Sequence, residues 1–584
     1  MYCCCFTNID KNEHFFLHVD MLDTGSLGKG SSMVQDFNFS NEIEYSVEIY
    51  HDDYSILGEG ELTFGGGSFI CIKLDLSSNF RAPLRELPTL RAKTKEGQYF
   101  TLFNCEVDDH LLYADFIVCG NVKADISEFH VKYAQLSDWF LHGQYITGEL
   151  GESVSWKNPT PQLSITIKAA GEDFSLKTET FSSLTKRGED HVIHEHTRFI
   201  FKRAVGVFSV DELREKTFEL STLLSLLTAT PVSIANVWVC FDVGYPMPTY
   251  FPAFKEIDGG SSSGAYWTSC LTQRHSLDDK WESIFERFYT SPYRKTSWVR
   301  LAGMQRYEGF WEFKILGYVS LLDEYVSTYA KIANQKVTKA ENQKVTRFKE
   351  QIKLLNKPLD KTQIDDVESL IESVFVTSRE LTFKEKYDYA RGLTDENIRR
   401  VINLTDDDFS LIKRIRDKVA HGAAPDLSDT SYQELHNIIE KIALLMTYWA
   451  HSDLGFLPSD FVTSLNRTHN RLRLNKGLDK VHLDRITKSA EFIEVSEILF
   501  DQFSSGQLSI INACFTQNAE GELAHSKRHE EMYNAWINNR AKTSNLVIDA
   551  FGSESERVTT AGSLYLEFGE KTIRLPIAYI IKDA

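Results

Sequence analysis

The chain has 584 residues, of which 42% are hydrophobic and 25% are charged, and it contains 38 Phe, 24 Tyr and 9 Trp. This aromatic content excludes an intrinsically disordered chain, and the length predicts about three or four compact units. The formal net charge of -19 excludes a protein that coats nucleic acid indiscriminately, because such binding rests on many Lys and Arg contacts to phosphate. Any contact with nucleic acid must therefore be local.

The amino-terminal segment MYCCCFTNID has no basic run before an apolar core, and nowhere do 18 apolar residues follow one another. We therefore expect neither a signal peptide nor a membrane span, and we expect a cytoplasmic protein. The nine cysteines lack any paired metal-ligand spacing, which predicts reduced thiols. Cys3, Cys4 and Cys5 fit a buried or frayed strand better than a ligand set, because neighbouring strand residues point to opposite sides.

Up to about residue 250 the sequence predicts mainly β-strands. Short runs rich in Val, Ile, Tyr and Phe, such as EYSVEIY and NVWVCFDV, alternate with Gly, Asn and Asp turns. One amphipathic helix is expected in VDELREKTFELSTLLSLLTA, where leucines recur mostly at three- and four-residue steps. We assign residues 1–285 to a large β-rich N-terminal domain.

Beyond about residue 300 the apolar spacing is that of helices. Residues 300–455 are predicted to form an all-α bundle, and residues 456–584 a mixed α/β C-terminal extension with helical patterns around 489–503 and 519–549. The fold class is therefore α+β and multidomain. Within the bundle, LTDDDFSLIKRIRDKVAHG predicts an amphipathic helix with Thr405 and Asp408 in capping-box spacing and a stop signal at Gly422.

The end of that helix carries Arg416, Asp417 and His421. An Arg followed by Asn, Asp or His and then by a His five positions after the Arg is expected only roughly 0.1 times by chance in a chain of this composition. Asp417 and His421 share a helix face at i and i+4, whereas Arg416 lies roughly 140° around the axis from His421. The guanidinium could bend toward the same phosphate, or a second copy of the helix could complete the site across a two-fold axis.

These residue types suit metal-free RNA cleavage. An imidazole can act as general acid or base, and a guanidinium can stabilise the charge that develops on the phosphate oxygens. Two basic patches could bind RNA locally; they contribute Lys413, Arg414 and Lys418 in the first, and Arg467, Arg471 and Arg473 in the second. The alternative is that the motif decorates an exposed helix end, where a histidine interacts favourably with the helix dipole.

Other patterns predict less. GSSSG, residues 260–264, matches the serine-hydrolase elbow formally, but no hydrophobic strand leads into it and a loop is favoured. His194 and His196 lie on one face of a possible strand and could chelate a metal, although an exposed polar strand is the better interpretation. No nucleotide, metal or other cofactor site is assigned.

With Arg416, Asp417 and His421 at the end of a bundle helix, the helical segment resembles the HEPN superfamily. The layout, including VKYAQLSDWFLHG and VDELREKTFELSTLLSLL in the β-rich half, resembles the ApeA-type anti-phage proteins. The resemblance implies that Arg416 and His421 are catalytic and that Asp417 is the polar residue between them. It also implies cleavage without metal, with 2',3'-cyclic phosphate and 5'-hydroxyl ends, at a site composed in a homodimer or a higher even oligomer.

Abortive infection is the biological role that the resemblance implies. The expected substrate is host RNA, plausibly tRNA, and the β-rich domain would be a sensor or regulatory domain that responds to a phage-derived trigger. A second hypothesis keeps the fold but makes the bundle a non-catalytic nucleotide- or protein-binding module. A third, a metal hydrolase that uses His194 and His196, requires tightly bound metal in the purified protein.

Overall fold

The structure is a computed structural model. It describes residues 2–4, 36–51, 55–75, 86–122, 125–143, 146–148, 154–156, 161–241, 245–255, 266–333, 336–338, 363, 365–367, 378–420, 431–539 and 546–582.

Fifteen strands lie in the first half of the described chain. In order they are β1 (Tyr2–Cys4), β2 (Glu42–Tyr50), β3 (Ile56–Gly65), β4 (Ser68–Leu74), β5 (Glu86–Thr94), β6 (Tyr99–Asp108), β7 (Leu111–Cys119), β8 (Glu128–Tyr133), β9 (Ile146–Gly148), β10 (Val154–Trp156), β11 (Ser164–Ile167), β12 (Phe174–Arg187), β13 (Asp190–Lys202), β14 (Ile234–Cys240) and β15 (Met247–Tyr250). All but β9 and β10, which pair with each other, belong to one 13-stranded sheet.

The sheet has a closed part and an open part. Strands β2 to β7 pair in the cyclic order β7-β4-β3-β2-β5-β6 and back to β7, and every pair is antiparallel. Closure removes the free edges of these strands, and their inward side chains, such as Phe64 and Phe100, are fully buried. The open part continues through β15, β14, β8, β13 and β12.

Helix Val210–Thr228 covers part of the open sheet. It begins with a capping box, in which the Ser209 side chain accepts from the Glu212 backbone N–H and the Glu212 side chain accepts from that of Ser209. Tyr133 of β8 donates its hydroxyl to the Thr217 carbonyl over 2.8 Å. The predicted helix is therefore present, and it ties the sheet to a buried helical layer.

Helices dominate the chain from residue 266 to residue 475. They are Tyr266–Ser269, the 3-10 helix Arg274–Leu277, Trp281–Thr290, the π-helix Arg294–Trp298, Val299–Arg306, Trp311–Ile332, Phe383–Gly392, Glu396–Ile402, Asp406–Ala420, Tyr432–Asp453, Pro458–Arg467 and Arg471–Leu474, with two short paired strands, β16 (Lys336–Thr338) and β17 (Ser378–Glu380). The long helices Trp311–Ile332 and Tyr432–Asp453 pack together, and the rings of Tyr325 and Trp449 stack with centroids 4.7 Å apart. This is the helical bundle that the sequence predicts.

The chain divides into two compact units, residues 1–390 with 407–475, and residues 391–406 with 476–584. Residues 456–475, which the sequence analysis placed in the C-terminal extension, pack in the first unit. The predicted fold class is confirmed as a β-rich N-terminal part, a helical bundle and a mixed C-terminal part, while the predicted domain bounds stay a prediction. Among the described helices, none is both long and apolar enough to cross a membrane.

The second unit contains two small sheets. Its elements include helices Lys480–Ile486, Glu497–Ser504 and Lys527–Asn538, the 3-10 helix Val547–Arg557, and strands β18 (Glu491–Glu494), β19 (Ile511–Gln517), β20 (Leu523–His525), β21 (Val558–Ala561), β22 (Leu564–Phe568), β23 (Lys571–Leu575) and β24 (Ile577–Lys582). One sheet has the order β18-β22-β23 and the other β20-β19-β24-β21. Apolar side chains from both sheets and from helix Glu497–Ser504 form one core cluster of the unit, and a second cluster includes Tyr533, Phe551 and Tyr579.

Candidate active site

The helix that carries the predicted motif, Asp406–Ala420, is named here the Arg416 helix. Its apolar side chains recur at three-residue steps and are buried in the bundle: Phe409, Ile412 and Ile415. A buried lysine, Lys441, donates from Nζ to Asp408 Oδ2 over 2.8 Å and links the first turn to helix Tyr432–Asp453. The helix is thus anchored along one face, and Arg416 follows directly after the buried Ile415.

Two carboxylates hold the Arg416 side chain. Its Nε donates to Asp323 Oδ2 over 3.0 Å, and its Nη1 donates to Asp417 Oδ1 over 3.2 Å. The guanidinium carbon also lies 5.6 Å from the centre of the Phe383 ring. Because a guanidinium is planar, bonds from two of its three nitrogens fix the plane of the group. Within the described part of the chain Nη2 makes no hydrogen bond, so its two N–H groups have no acceptor among those residues.

The electrostatics keep Arg416 charged. Partial burial disfavours the cation, but hydrogen bonds and charge attraction from Asp323 and Asp417 outweigh it and raise the pKa of Arg416 above its ordinary value. About a third of the Arg416 side chain, 35%, stays exposed to solvent. The site therefore presents a permanently charged donor that a phosphate can reach.

Asp323 was not found by sequence reasoning. It lies on helix Trp311–Ile332, next to the buried Leu321 and Leu322. Its second oxygen, Oδ1, is buried and accepts no hydrogen bond from any described residue. The sequence feature that could have indicated Asp323 is an acid next to apolar residues of this helix. An isolated buried carboxylate is costly, so such an acid predicts a basic partner.

His421 lies outside the described residues, as do Gly422 and the rest of the segment up to residue 430. The Arg416 helix reaches Ala420, so the chain enters this segment directly from the helix. The distance between the imidazole and Arg416 is therefore not part of the described geometry, and the catalytic assignment of His421 stays a prediction.

Asp417 was predicted to share a helix face with His421. In the structure its two oxygens contact cations: Oδ1 accepts from Arg416, and Oδ2 lies 3.6 Å from Lys413 Nζ. Among the described residues Asp417 therefore contacts two cations, and its predicted relation to His421 stays a prediction. Arg414 is exposed and Lys418 is half-buried on the same helix.

The second predicted RNA-binding patch consists of three arginines in different environments. Arg467 is exposed at the end of its helix. Arg473 donates to the Thr468 carbonyl over 3.2 Å, so it has a local structural contact. Arg471 lines a cavity of about 360 Å³, which Lys314 also lines. The three side chains are not one uniform cationic surface, and their role in RNA binding stays a prediction.

The two histidines of the alternative metal site have separate partners. His194 Nε2 lies 2.9 Å from the Thr185 hydroxyl. His196 Nε2 accepts from Arg198 Nε over 3.1 Å, and burial, with two nearby cations, lowers the pKa of His196 to about 3. The other short patterns give little more: β1 covers Cys3 and Cys4, while Cys5 and the GSSSG loop lie outside the described residues.

Two protein-family models match the chain, one in the β-rich part and one in the helical bundle. The model described as ApeA N-terminal domain 1 matches residues 44–288, and the model described as Apea-like HEPN matches residues 316–459. The first contains the strands of the large sheet except β1 and the first two residues of β2, and the second contains both Asp323 and Arg416. No curated protein and no solved structure matches the chain significantly. The two matches, in this order along one chain, show that the protein belongs to the ApeA-type family of HEPN anti-phage proteins.

Proposed function

We propose that the protein is a metal-independent endoribonuclease that cleaves host RNA, plausibly tRNA, during abortive infection. The observation that carries the proposal is the guanidinium of Arg416. Two carboxylates orient it on a HEPN bundle helix, one nitrogen is left for an anion, and His421 follows five positions later.

The proposed reaction is a transesterification. The 2'-hydroxyl of one nucleotide attacks the adjacent phosphorus, the bond to the 5'-oxygen breaks, and a 2',3'-cyclic phosphate and a 5'-hydroxyl result. His421 moves the proton, as base at the 2'-oxygen or as acid at the 5'-oxygen. Arg416 donates to the non-bridging oxygens, whose charge grows in the transition state.

Asp323 and Asp417 are positioning residues in this proposal. They contact Arg416 and not the substrate, and they set the direction in which its remaining nitrogen points. An arginine held in advance loses less side-chain entropy when it binds the transition state. Lys413, Arg414 and Lys418 would add cationic contacts along the same helix.

We further propose that two chains compose the active site, in a homodimer or a higher even oligomer, because five positions of an ideal helix correspond to a turn of roughly 140°, which would keep Arg416 and His421 of one chain apart. The β-rich domain then acts as the sensor for a phage-derived trigger that releases the activity in the cytoplasm.

Complementation between inactive variants tests the composite site. Arg416→Ala and His421→Ala are purified separately, mixed, and allowed to exchange subunits. If each site takes the arginine from one chain and the histidine from the other, half of the dimers are mixed and one of their two sites is intact. The mixture should then recover about a quarter of the wild-type cleavage rate.

Two controls make the result interpretable. Each variant alone should stay inactive, and co-purification of untagged His421→Ala with affinity-tagged Arg416→Ala after mixing should show that subunits exchange. With exchange shown, no recovery in the mixture of the two variants contradicts the composite site. Activity in each unmixed variant would contradict the catalytic assignment of Arg416 and His421.

A non-catalytic binding module is the second candidate function. The ion pair between Arg416 and Asp323, which links two bundle helices, favours it, because the arginine could be a structural strut. Arg416→Lys distinguishes the two functions. A strut or simple anion site should tolerate a lysine, whereas a fixed planar donor in catalysis should lose most of its activity.

A further inference from the structure

Three potential metal ligands lie together in the open part of the large sheet. Glu128 and His130 alternate along β8 and therefore point to the same face. Cys240, the last residue of β14, pairs directly with Glu128 across the two antiparallel strands. The strand register thus brings a carboxylate, an imidazole and a thiol together from two strands.

The ligand atoms of the three groups lie close together. His130 Nε2 lies 2.8 Å from Glu128 Oε1 and 3.9 Å from Cys240 Sγ. One ligand atom from each of the three residues lies within 4.8 Å of the other two. Tetrahedral zinc with ordinary bond lengths separates its N, O and S ligands by about 3.3 to 3.6 Å. The two distances to His130 Nε2 therefore differ from those of a zinc site by about half an ångström.

The neighbouring contacts of Glu128 and His130 keep their ligand atoms in the cluster. Lys202 Nζ lies 3.2 Å from Glu128 Oε2, which leaves Oε1 for the cluster. His130 is 5% exposed, and its Nδ1 is buried without a hydrogen-bond partner among the described residues. The cost of burying this ring is therefore offset mainly by its contacts with Glu128 and Cys240.

We propose that Glu128, His130 and Cys240 bind one zinc ion that clamps β8 to β14 in the β-rich domain. A mixed set of sulfur, nitrogen and oxygen donors suits zinc, whereas magnesium and calcium prefer oxygen ligands alone. Three protein ligands leave a fourth position for water or another donor. All three lie within residues 44–288, outside the bundle that carries Arg416, so the proposed ion is not a group of the cleavage site.

Cobalt titration of the full chain tests the proposal. Protein stripped with a chelator and kept reduced is titrated with Co²⁺, whose bond to a thiolate gives a charge-transfer absorption band. The expected result is a band that saturates at one equivalent and disappears when zinc is added. Elemental analysis of the purified protein should likewise find about one zinc per chain. Absence of the band at stoichiometric Co²⁺ overturns the proposal.

Matched variants locate the ion. Cys240→Ser should abolish the band, and Glu128→Gln should keep it but weaken Co²⁺ binding at least about 10-fold. Cys71→Ser, which removes a half-buried thiol on β4, should leave the band unchanged. A full band in Cys240→Ser would also overturn the proposal.

A measurement on the wild-type protein covers the case in which Cys240→Ser fails to fold. Zinc should slow the alkylation of Cys240 and leave the alkylation rate of Cys71 unchanged. Peptide mass mapping measures both rates. Equal rates for Cys240 with and without zinc would contradict the site. Because RNA cleavage is not the readout, failure here leaves the nuclease proposal untouched, and the reverse is also true.

Discussion

Asp323 gives the sharpest prediction about how the bundle controls Arg416. The change is Asp323→Asn, which keeps the volume and one acceptor oxygen but removes the charge. The ion pair joins side chains that are 35% and 25% exposed, with 3.0 Å between Arg416 Nε and Asp323 Oδ2. Fully exposed pairs contribute up to about 1 kcal/mol and hydrogen bonds to charged groups about 1.5 to 3 kcal/mol. We therefore expect the free energy of unfolding to fall by about 1 kcal/mol.

Asp323→Asn should reduce transition-state stabilisation by more than it reduces the free energy of unfolding. The substitution weakens one of the two contacts that orient the guanidinium. We expect this to reduce transition-state stabilisation by about 1.4 kcal/mol, which lowers kcat/KM about 10-fold. Urea unfolding and single-turnover RNA cleavage measure the two effects. Glu312→Gln is the matched control, since it removes the same charge from an exposed position on the same helix. Wild-type cleavage by Asp323→Asn, or an equal loss in Glu312→Gln, would refute the reasoning.

Three further predictions concern stability and RNA binding. His451 is fully buried, and burial lowers its pKa to about 4. Because the histidine of the unfolded chain binds a proton at higher pH than the buried one, the free energy of unfolding should fall by up to about 3 kcal/mol as the pH drops from about 6.5 to 4. His451→Asn should reduce this pH dependence in urea titrations. Ser431→Ala removes one half of the capping box of helix Tyr432–Asp453 and should cost about 1 kcal/mol of unfolding free energy, whereas no change in the urea midpoint would contradict the role of the cap. Neutralising Arg467, Arg471 and Arg473 together should weaken RNA binding and lower the slope of log K against log salt by up to about 3, and an unchanged slope would assign the patch another role.

Local pattern predicted many elements of the fold but not their order in the sheets. The run EYSVEIY lies in β2, and the helix expected after residue 209 is Val210–Thr228. The closing pair β6–β7 and the neighbours β8 and β14 could not be predicted, because pairing depends on contacts between residues far apart in the chain. The helical pattern expected at 489–503 was wrong in its first part. Residues Glu491–Glu494 form β18, whose parallel partner β22 lies about 70 residues later.

The candidate site shows the same division. Arg416 and Asp417 were found because they are neighbours in a short motif at the end of an amphipathic helix. Asp323 was missed because it reaches Arg416 from another helix, 93 positions away. The cluster of Glu128, His130 and Cys240 escaped for the same reason, since only the register of β8 and β14 brings the thiol to the imidazole. Sequence spacing detects functional groups that lie on one helix or strand. A site formed by several elements can be found only when their packing is known.

Cleavage of RNA by the wild-type protein and by His421→Ala, side by side in chelator, tests the central claim most directly. Total small RNA from infected and uninfected cells serves as substrate, with lysate from infected cells added as a source of the trigger, and the new ends are mapped chemically. We expect 2',3'-cyclic phosphate and 5'-hydroxyl ends from the wild type and none from a folded His421→Ala. Equal cleavage by the variant, or no cleavage by the triggered wild type, would contradict the account.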